Sequence, residues 1–461
     1  MLNGRTVAAL TLLASACGPS PQTTELRQAV ATNRAGTALL GVAFRFAGSR
    51  GATVRLHELP SLDEVAWRFD VPALIAHRLV GFAADDDLVY ALTPDSQLVA
   101  LDLESGRPHV ADSLVTLAAA GPDGAILLAR ADGSLGRISR RRAARLGTLS
   151  DAALEGLHGA ANGRVVVVVR RDGSRALITA TVGALSDPRA VPEGPLALAP
   201  WGDAIAVAAD SGLVLIAPHR DDPDRFLRLR TVAIAVTFSS SGHRIYVATD
   251  DSSLIVIDRF DLTRLGTVTL PQAATELRAD PFGHWLLGRT EQGLLAIPQQ
   301  AGGAVRSLEG EWDEDLPAAS PDGTILVRRG ADVVALDAES LEPSGRVANA
   351  ARDRWLIAPW DPRRPALQVA TPPEGSRPAG AGQEIFVQVS STSNQPWADK
   401  LARDLVVAGL RATVLAPVGP DEMFRVVIGP YASRDEAEET GRKLGMPYWI
   451  FTRDAGPPPS P

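Results

Sequence analysis

The stretch Ala235-Val-Thr-Phe238, Ser239-Ser-Ser-Gly242, Arg244-Ile-Tyr-Val-Ala248, Asp250-Asp-Ser-Ser253, Leu254-Ile-Val-Ile-Asp258 decides how the middle of the chain folds. It reads as strand, Gly turn, strand, polar turn, strand, with a looser fourth segment at Gly266-Thr-Val-Thr-Leu270. The same order recurs at Ala318-Ala-Ser-Pro-Asp-Gly323, Ile325–Val327 and Val333–Asp337. Equivalent turns fall at Asp86, Gly124, Gly163, Gly202, Gly242, Gly283 and Gly323, in steps of 38, 39, 39, 40, 41 and 40 residues. Four short strands every ~40 residues predict a β-propeller, because one blade cannot bury its own faces and radial stacking covers them. Seven units run from about Val80 to Val347. The leftover ends supply Leu39–Phe46, Thr53–Leu59, Val65–Phe69 and Trp355–Pro359. Joined, they make an eighth blade from both termini, and that split closure removes an open sheet edge. The expectation is a mainly β chain with an eight-bladed propeller over 38–370, seven blades being the alternative.

These repeats resemble the YVTN-type and WD-repeat-like propeller families. Trp312-Asp313 and Trp360-Asp361 occur, but at no recurring repeat position. The resemblance therefore carries the architecture and not the partners of WD repeats.

The chain has 461 residues, 45% hydrophobic and 22% charged, which allows a sizeable core. Its net charge of -8 argues against a chain-wide nucleic-acid footprint. Lys400 and Lys443 are the only lysines. The single cysteine, Cys17, excludes an internal disulfide, a CxxC redox pair and a thiolate zinc site.

Arg5 and the apolar run Thr6–Ala16 have the form of a signal h-region, too short to span a bilayer. The run ends Leu13-Ala14-Ser15-Ala16-Cys17, small residues standing before the one cysteine. This resembles a bacterial lipoprotein signal with its lipobox, although Ala14 stands where the family usually has Leu. The resemblance implies a signal peptide over 1–16, lipidation at Cys17 and a flexible tether over 17–37. With Gly18 and not Asp after the cysteine, it implies an outer-membrane lipoprotein facing the periplasm.

Within the propeller, His243 and His284 each follow a turn glycine and read as turn residues of different blades. Ser239–Ser241 lacks the Gly-x-Ser-x-Gly context of a nucleophile elbow. Asp85–Asp87, Asp221-Asp222 and Arg140–Arg142 read as solvated turns and loops. No metal-ligand spacing appears. The expectation is no catalytic residue, no metal and no cofactor, with the propeller serving as a platform for a protein partner.

A Pro/Gly linker at 371–382 marks a boundary. After it come Ile385–Ser390 as a strand, a helix capped by Asn394 with Pro396 in its first turn, and strands at Ala412–Ala416 and Phe424–Ile428. Ser433-Arg-Asp-Glu436 opens a second helix as a capping box, and Tyr448–Thr452 is the last strand. The order is β-α-β-β-α-β, a small α+β domain over 383–453 followed by a tail at 454–461.

Phe386-Val-Gln-Val389 before a helix, then Phe424-Arg-Val-Val-Ile-Gly-Pro-Tyr431, Ser433 and Ala437, resembles a SPOR domain. The resemblance implies binding to peptidoglycan, with preference for glycan strands stripped of stem peptides, as found at division septa. With two helices on one side of the sheet, the other side can face a ligand. Alternation puts Val387, Val389, Phe424, Val426 and Ile428 toward the helices. Phe386, Gln388, Ser390, Arg425 and Val427 then point to the open face. Amide and guanidinium donors suit sugar hydroxyl and acetamido oxygens, and apolar surface suits ring faces. Trp397 or Trp449 would supply a stacking ring or ordinary core. Gly429 and Tyr431 complete the candidate set, Gly429 as a residue that shapes the strand end. No His, no Cys and no poised carboxylate pair points to glycoside cleavage.

Three readings follow. The first is a lipid-anchored, non-enzymatic envelope protein that grips septal glycan and presents a propeller to a protein partner. The second is a wall-targeted enzyme with its site in the propeller channel. The third is an outer-membrane assembly scaffold.

Overall fold

A computed structural model describes residues 42–48, 52–71 and 78–83, 87–358 apart from 104, 123, 140, 151, 162, 210–211, 219–222 and 300–302, and 383–454 apart from 393–394, 418–423 and 445–446. The signal, Cys17, the tether, the linker, Asp85-Asp86, Asp221-Asp222 and Asn394 lie outside the described residues.

Eight antiparallel sheets form the blades of a propeller. Seven begin with the strands Arg78–Ala83, Val115–Ala120, Ala153–Gly159, Leu196–Leu198, Ala233–Phe238, Glu276–Ala279 and Ala318–Ala319. These first strands are innermost: they touch across neighbouring blades, and those beginning at Arg78, Glu276 and Ala318 line a cavity. The eighth sheet has the order Glu64–Val71, Ala52–Glu58, Val42–Ala47, Arg354–Ala358. Its inner strand comes from the far end of the propeller and pairs antiparallel with Val42–Ala47, Val42 opposite Ala358 and Phe46 opposite Arg354. The ring thus closes with three strands from one end and one from the other.

Burial explains why alternation is weak in the middle strands. Leu88–Leu92 and Leu98–Asp102 are buried at every position, because neighbouring blades cover both faces. The outer strand Arg107–Asp112 meets solvent and is polar. Between blades the cores are mostly aliphatic, as in Leu88, Leu98, Ile126 and Leu128, each full burial contributing roughly 1.5–3 kcal/mol.

The repeat glycines have a backbone reason. Gly124, Gly163, Gly202, Gly242, Gly283 and Gly323 all have φ between 71° and 89°. Each closes a tight turn, as Gly242 N–H donates to Ser239 O at 2.8 Å. A side chain in that conformation costs roughly 1–2 kcal/mol, which glycine avoids. Each such turn joins an inner strand to the second strand, so all of them gather at one end of the propeller.

The C-terminal sheet has the order Ala412–Leu415, Phe424–Tyr431, Gln383–Thr392, Trp449–Asp454, all antiparallel. The last strand reaches Asp454, one residue into the expected tail. Helices Gln395–Val407 and Arg434–Lys443 pack on one face over Val387, Val389, Val426, Ile428 and Ile450. Inside the first helix the packed residues are Ala398, Ala402 and Leu405, with Leu401 beside them. Ser433 caps the second helix by accepting from Glu436 N–H at 3.2 Å. The core draws only on residues of this domain.

One expected orientation changes. Gln388 pairs with Val427, but Ser390 pairs with Val426 and Ser391 with Arg425, so Val389 is bulged out of register. A bulge shifts the alternation by one. Ser390 therefore shares the helix side with Val426, and Ser391 takes the place beside Arg425. Tyr431 opposes Ile385, and both pack against the helix-side core.

Candidate functional site

Across the helix-free face of the C-terminal sheet, Trp449, Gln388, Val427 and Thr413 form one row of paired residues. Phe386 and Arg425 flank it on the same face. On an uncovered sheet this row would meet solvent, and its Thr413 end does. Instead Gln388 is 1% exposed, Val427 0%, Trp449 6% and Phe386 5%.

The cover is the glycine-turn end of the propeller. The Arg425 guanidinium lies 4.6 Å from the centre of the Trp201 ring, in the turn after the inner strand Leu196–Leu198. Ser391 Oγ donates to Ala161 O, in the corresponding turn of the preceding blade. Ile450 N–H, on the edge strand, donates to Ser241 O at 2.6 Å. A Cβ on Gly283 would collide with Tyr448 Oη. One turn in each of four blades therefore reaches the C-terminal domain.

Polar satisfaction under this cover is uneven. Both amide atoms of Gln388, Oε1 and Nε2, lack a hydrogen-bond partner. Leaving a buried polar group unpaired costs about 1–3 kcal/mol.

A second contact uses one stripe of the helix Arg434–Lys443. Arg434, Glu438 and Arg442 recur at four-residue spacing and so share a face. Arg434 pairs with Asp258 at 2.9 Å and lies 4.2 Å from the Phe260 ring centre. Glu438, 1% exposed, stands 3.2 Å from Arg244, 3.4 Å from His243 Nε2 and 3.7 Å from Arg442. Arg244 also reaches Asp435 at 3.1 Å. His243 Nδ1 is hydrogen-bonded to Ser241 Oγ at 2.7 Å. Burial holds the His243 imidazole well below its ordinary range, reinforced by Arg244, Arg434, Arg259 and Arg442. Burial raises the Glu438 carboxyl, opposed by Arg244 and Arg442.

Ligand atoms of His243, Asp435 and Glu438 lie within 4.8 Å of one another. Arg244 and Arg442 already neutralise the two carboxylates, and four arginines bear on the imidazole. That charge balance makes the cluster an ion-pair network across the contact. His284 lies apart from it, its Nε2 3.0 Å from Pro321 O, so the two turn histidines do not meet.

The central channel holds a cavity of about 340 Å³. Inner strands bring Arg78, Arg278 and Arg354 to it. Arg78 pairs with Glu314 at 3.2 Å and Arg354 with Asp313 at 3.3 Å. Arg278 donates to Pro317 O and Asp313 O at 2.8 and 2.9 Å. Each guanidinium is thus engaged, Arg278 and Arg354 across neighbouring blades and Arg78 across the closing blade.

Of the candidate residues, Phe386, Gln388, Arg425 and Val427 share one face, and Trp449 joins them. Ser390 and Tyr431 belong to the opposite side. Gly429 sits in the third strand with φ 136°, beside Ile385 O, a conformation suited to glycine. Trp397 is in the first turn of the helix Gln395–Val407. Glu438 and His243 were missed. The stripe at 434, 438 and 442, charged and not apolar, is the signal that could have marked a docking helix.

Among solved structures, apo AztD from Citrobacter koseri matches with 14% identity over 69% of this chain and 99% of its own, at a TM-score of 0.49. Dihydro-heme d1 dehydrogenase NirN matches with 15% identity over 69% of this chain and 77% of its own, at a TM-score of 0.47. No curated protein sequence matches the chain. The SPOR domain family model matches residues 381–445. The chain therefore carries a SPOR domain, a peptidoglycan-binding module of the cell envelope, behind an eight-bladed β-propeller.

Proposed function

We propose that this chain is a lipid-anchored envelope protein that holds denuded septal glycan through its SPOR domain and presents the propeller to a protein partner. Cys17 carries the anchor, placing the protein at the outer membrane and facing the periplasm, in cell division or envelope maintenance. The observation that supports this reading most is the single row of Trp449, Gln388 and Val427 beside Arg425 and Phe386 on the helix-free face. That set combines an amide, a guanidinium and aromatic surface, the groups that recognise sugar hydroxyls, acetamido oxygens and ring faces.

The binding role favours no chemistry. The carboxylates near the SPOR domain are paired with arginines, and the channel guanidiniums are engaged with acids and carbonyls.

The test is co-sedimentation of residues 383–454, whose core is self-contained, with purified sacculi before and after amidase removal of stem peptides. Binding rises on denuded glycan and falls in Gln388→Ala and Arg425→Ala. Equal failure on both preparations sinks the reading.

A further inference from the structure

We infer that the propeller is an intramolecular cap for the SPOR domain, so that the chain is closed to glycan until the two part. This rests on the glycan reading of the helix-free face and adds its regulation. Three independent observations converge. First, the row Trp449, Gln388, Val427 is buried although no element of the SPOR domain covers it. Second, propeller turns occupy that face: Trp201 stacks on Arg425, and Ala161 O accepts from Ser391. A sugar cannot stack or hydrogen-bond where a propeller turn already lies. Third, the Gln388 amide is left without partners, so the closed form does not use the polar group that a glycan would use.

The cap is held from a different side. Arg434–Asp258, and Glu438 with Arg244 and His243, lie on a helix stripe away from the sheet row. A latch separate from the binding face can be weakened without touching that face.

Full-length protein in a Cys17→Ser background is compared as wild type, Arg434→Asp, Trp201→Ala, and Arg434→Asp with Asp258→Arg. Each is pelleted with amidase-stripped sacculi, and its radius of gyration is measured by small-angle scattering. Arg434→Asp sets like charges face to face and favours a helix N-terminus, so the helix still forms. The expected result is a larger radius in each single variant, with glycan binding about tenfold tighter in Arg434→Asp, which loses a part-buried ion pair, and about threefold tighter in Trp201→Ala, which loses a ring contact. The charge-swapped double variant returns toward wild type, which a misfolded chain would not do. Equal binding by wild type and open variants, with Gln388→Ala abolishing both, overturns the cap and leaves the glycan reading standing. An enlarged radius with no binding by any variant overturns the glycan reading itself.

Discussion

Both faces of the SPOR sheet are covered at its centre, yet they are built differently. The helix side is aliphatic: Val387, Val389, Val426, Ile428 and Ile450 interlock with Ala398, Ala402, Leu405 and Ala437. The propeller side mixes an amide, a guanidinium, a hydroxyl and an indole, and leaves the Gln388 amide unpaired. The first face gains nothing by being uncovered and loses apolar contact. The second would gain hydrogen bonds if a polymer with polar groups replaced the propeller. Burial alone does not tell a core from a cover; the polar groups left unsatisfied beneath it do.

The largest effect that sharpens this contrast comes from the helix side. Ile428→Ala removes about 2–5 kcal/mol from SPOR stability, the range for large-to-small core changes. Urea unfolding of residues 383–454 measures it, and a change under 1 kcal/mol would mean Ile428 is not core. On the propeller side the sign reverses. Gln388→Leu replaces an unpaired amide with carbon of similar shape, and the full chain gains about 1–3 kcal/mol. Thermal melting should rise while glycan binding is lost; a drop in melting temperature breaks the comparison. Smaller again is Trp201→Ala, which loses a cation–π contact of about 0.5–1 kcal/mol at a partly exposed site. Its melting midpoint shifts little, and the radius of gyration reports the change.

The smallest effect is on pH. Burial holds His243 below its ordinary 6.5 in the closed form. The open form therefore binds the proton more tightly, and closure weakens as pH falls through 6.5. Glu438 works the other way, since burial raises it above 4.5 and its protonation favours closure at the acid end. Opening is thus expected below pH 6.5 and above the range where Glu438 titrates. Arg244, Arg259, Arg434 and Arg442 are the cationic groups that face His243. Scattering at pH 7.5 and 5.5 tests this, and His243→Gln should flatten the response.

The ring was legible because one backbone requirement recurs. Six blades take a positive φ at the same turn, and glycine marks it in each of them. The closing blade was legible because Trp355–Pro359 read like the inner strand near Leu196. The bulge at Val389 was not legible. It lies before two serines, Ser390 and Ser391, so shifting the alternation by one swaps like for like. The docking of one domain on the other left a faint trace as well. His243 looks like any residue after a turn glycine, and Glu438 sits in an acidic helix start where exposed carboxylates are common. Only their joint burial shows what they do.

The closing blade carries a mechanical consequence. Chain enters the ring at Val42 and leaves it at Ala358, and those two residues face each other in one strand pair. Were the chain pulled from before Val42 and from after Ala358, tension would pass through that pair and not across the eight sheets. Both pulls act at the same end of an antiparallel pair, so load peels Val42–Phe46 from Arg354–Ala358 one rung at a time. Such a joint yields far sooner than a pair loaded lengthwise, where every rung resists together. The ring's own seam is its tear line.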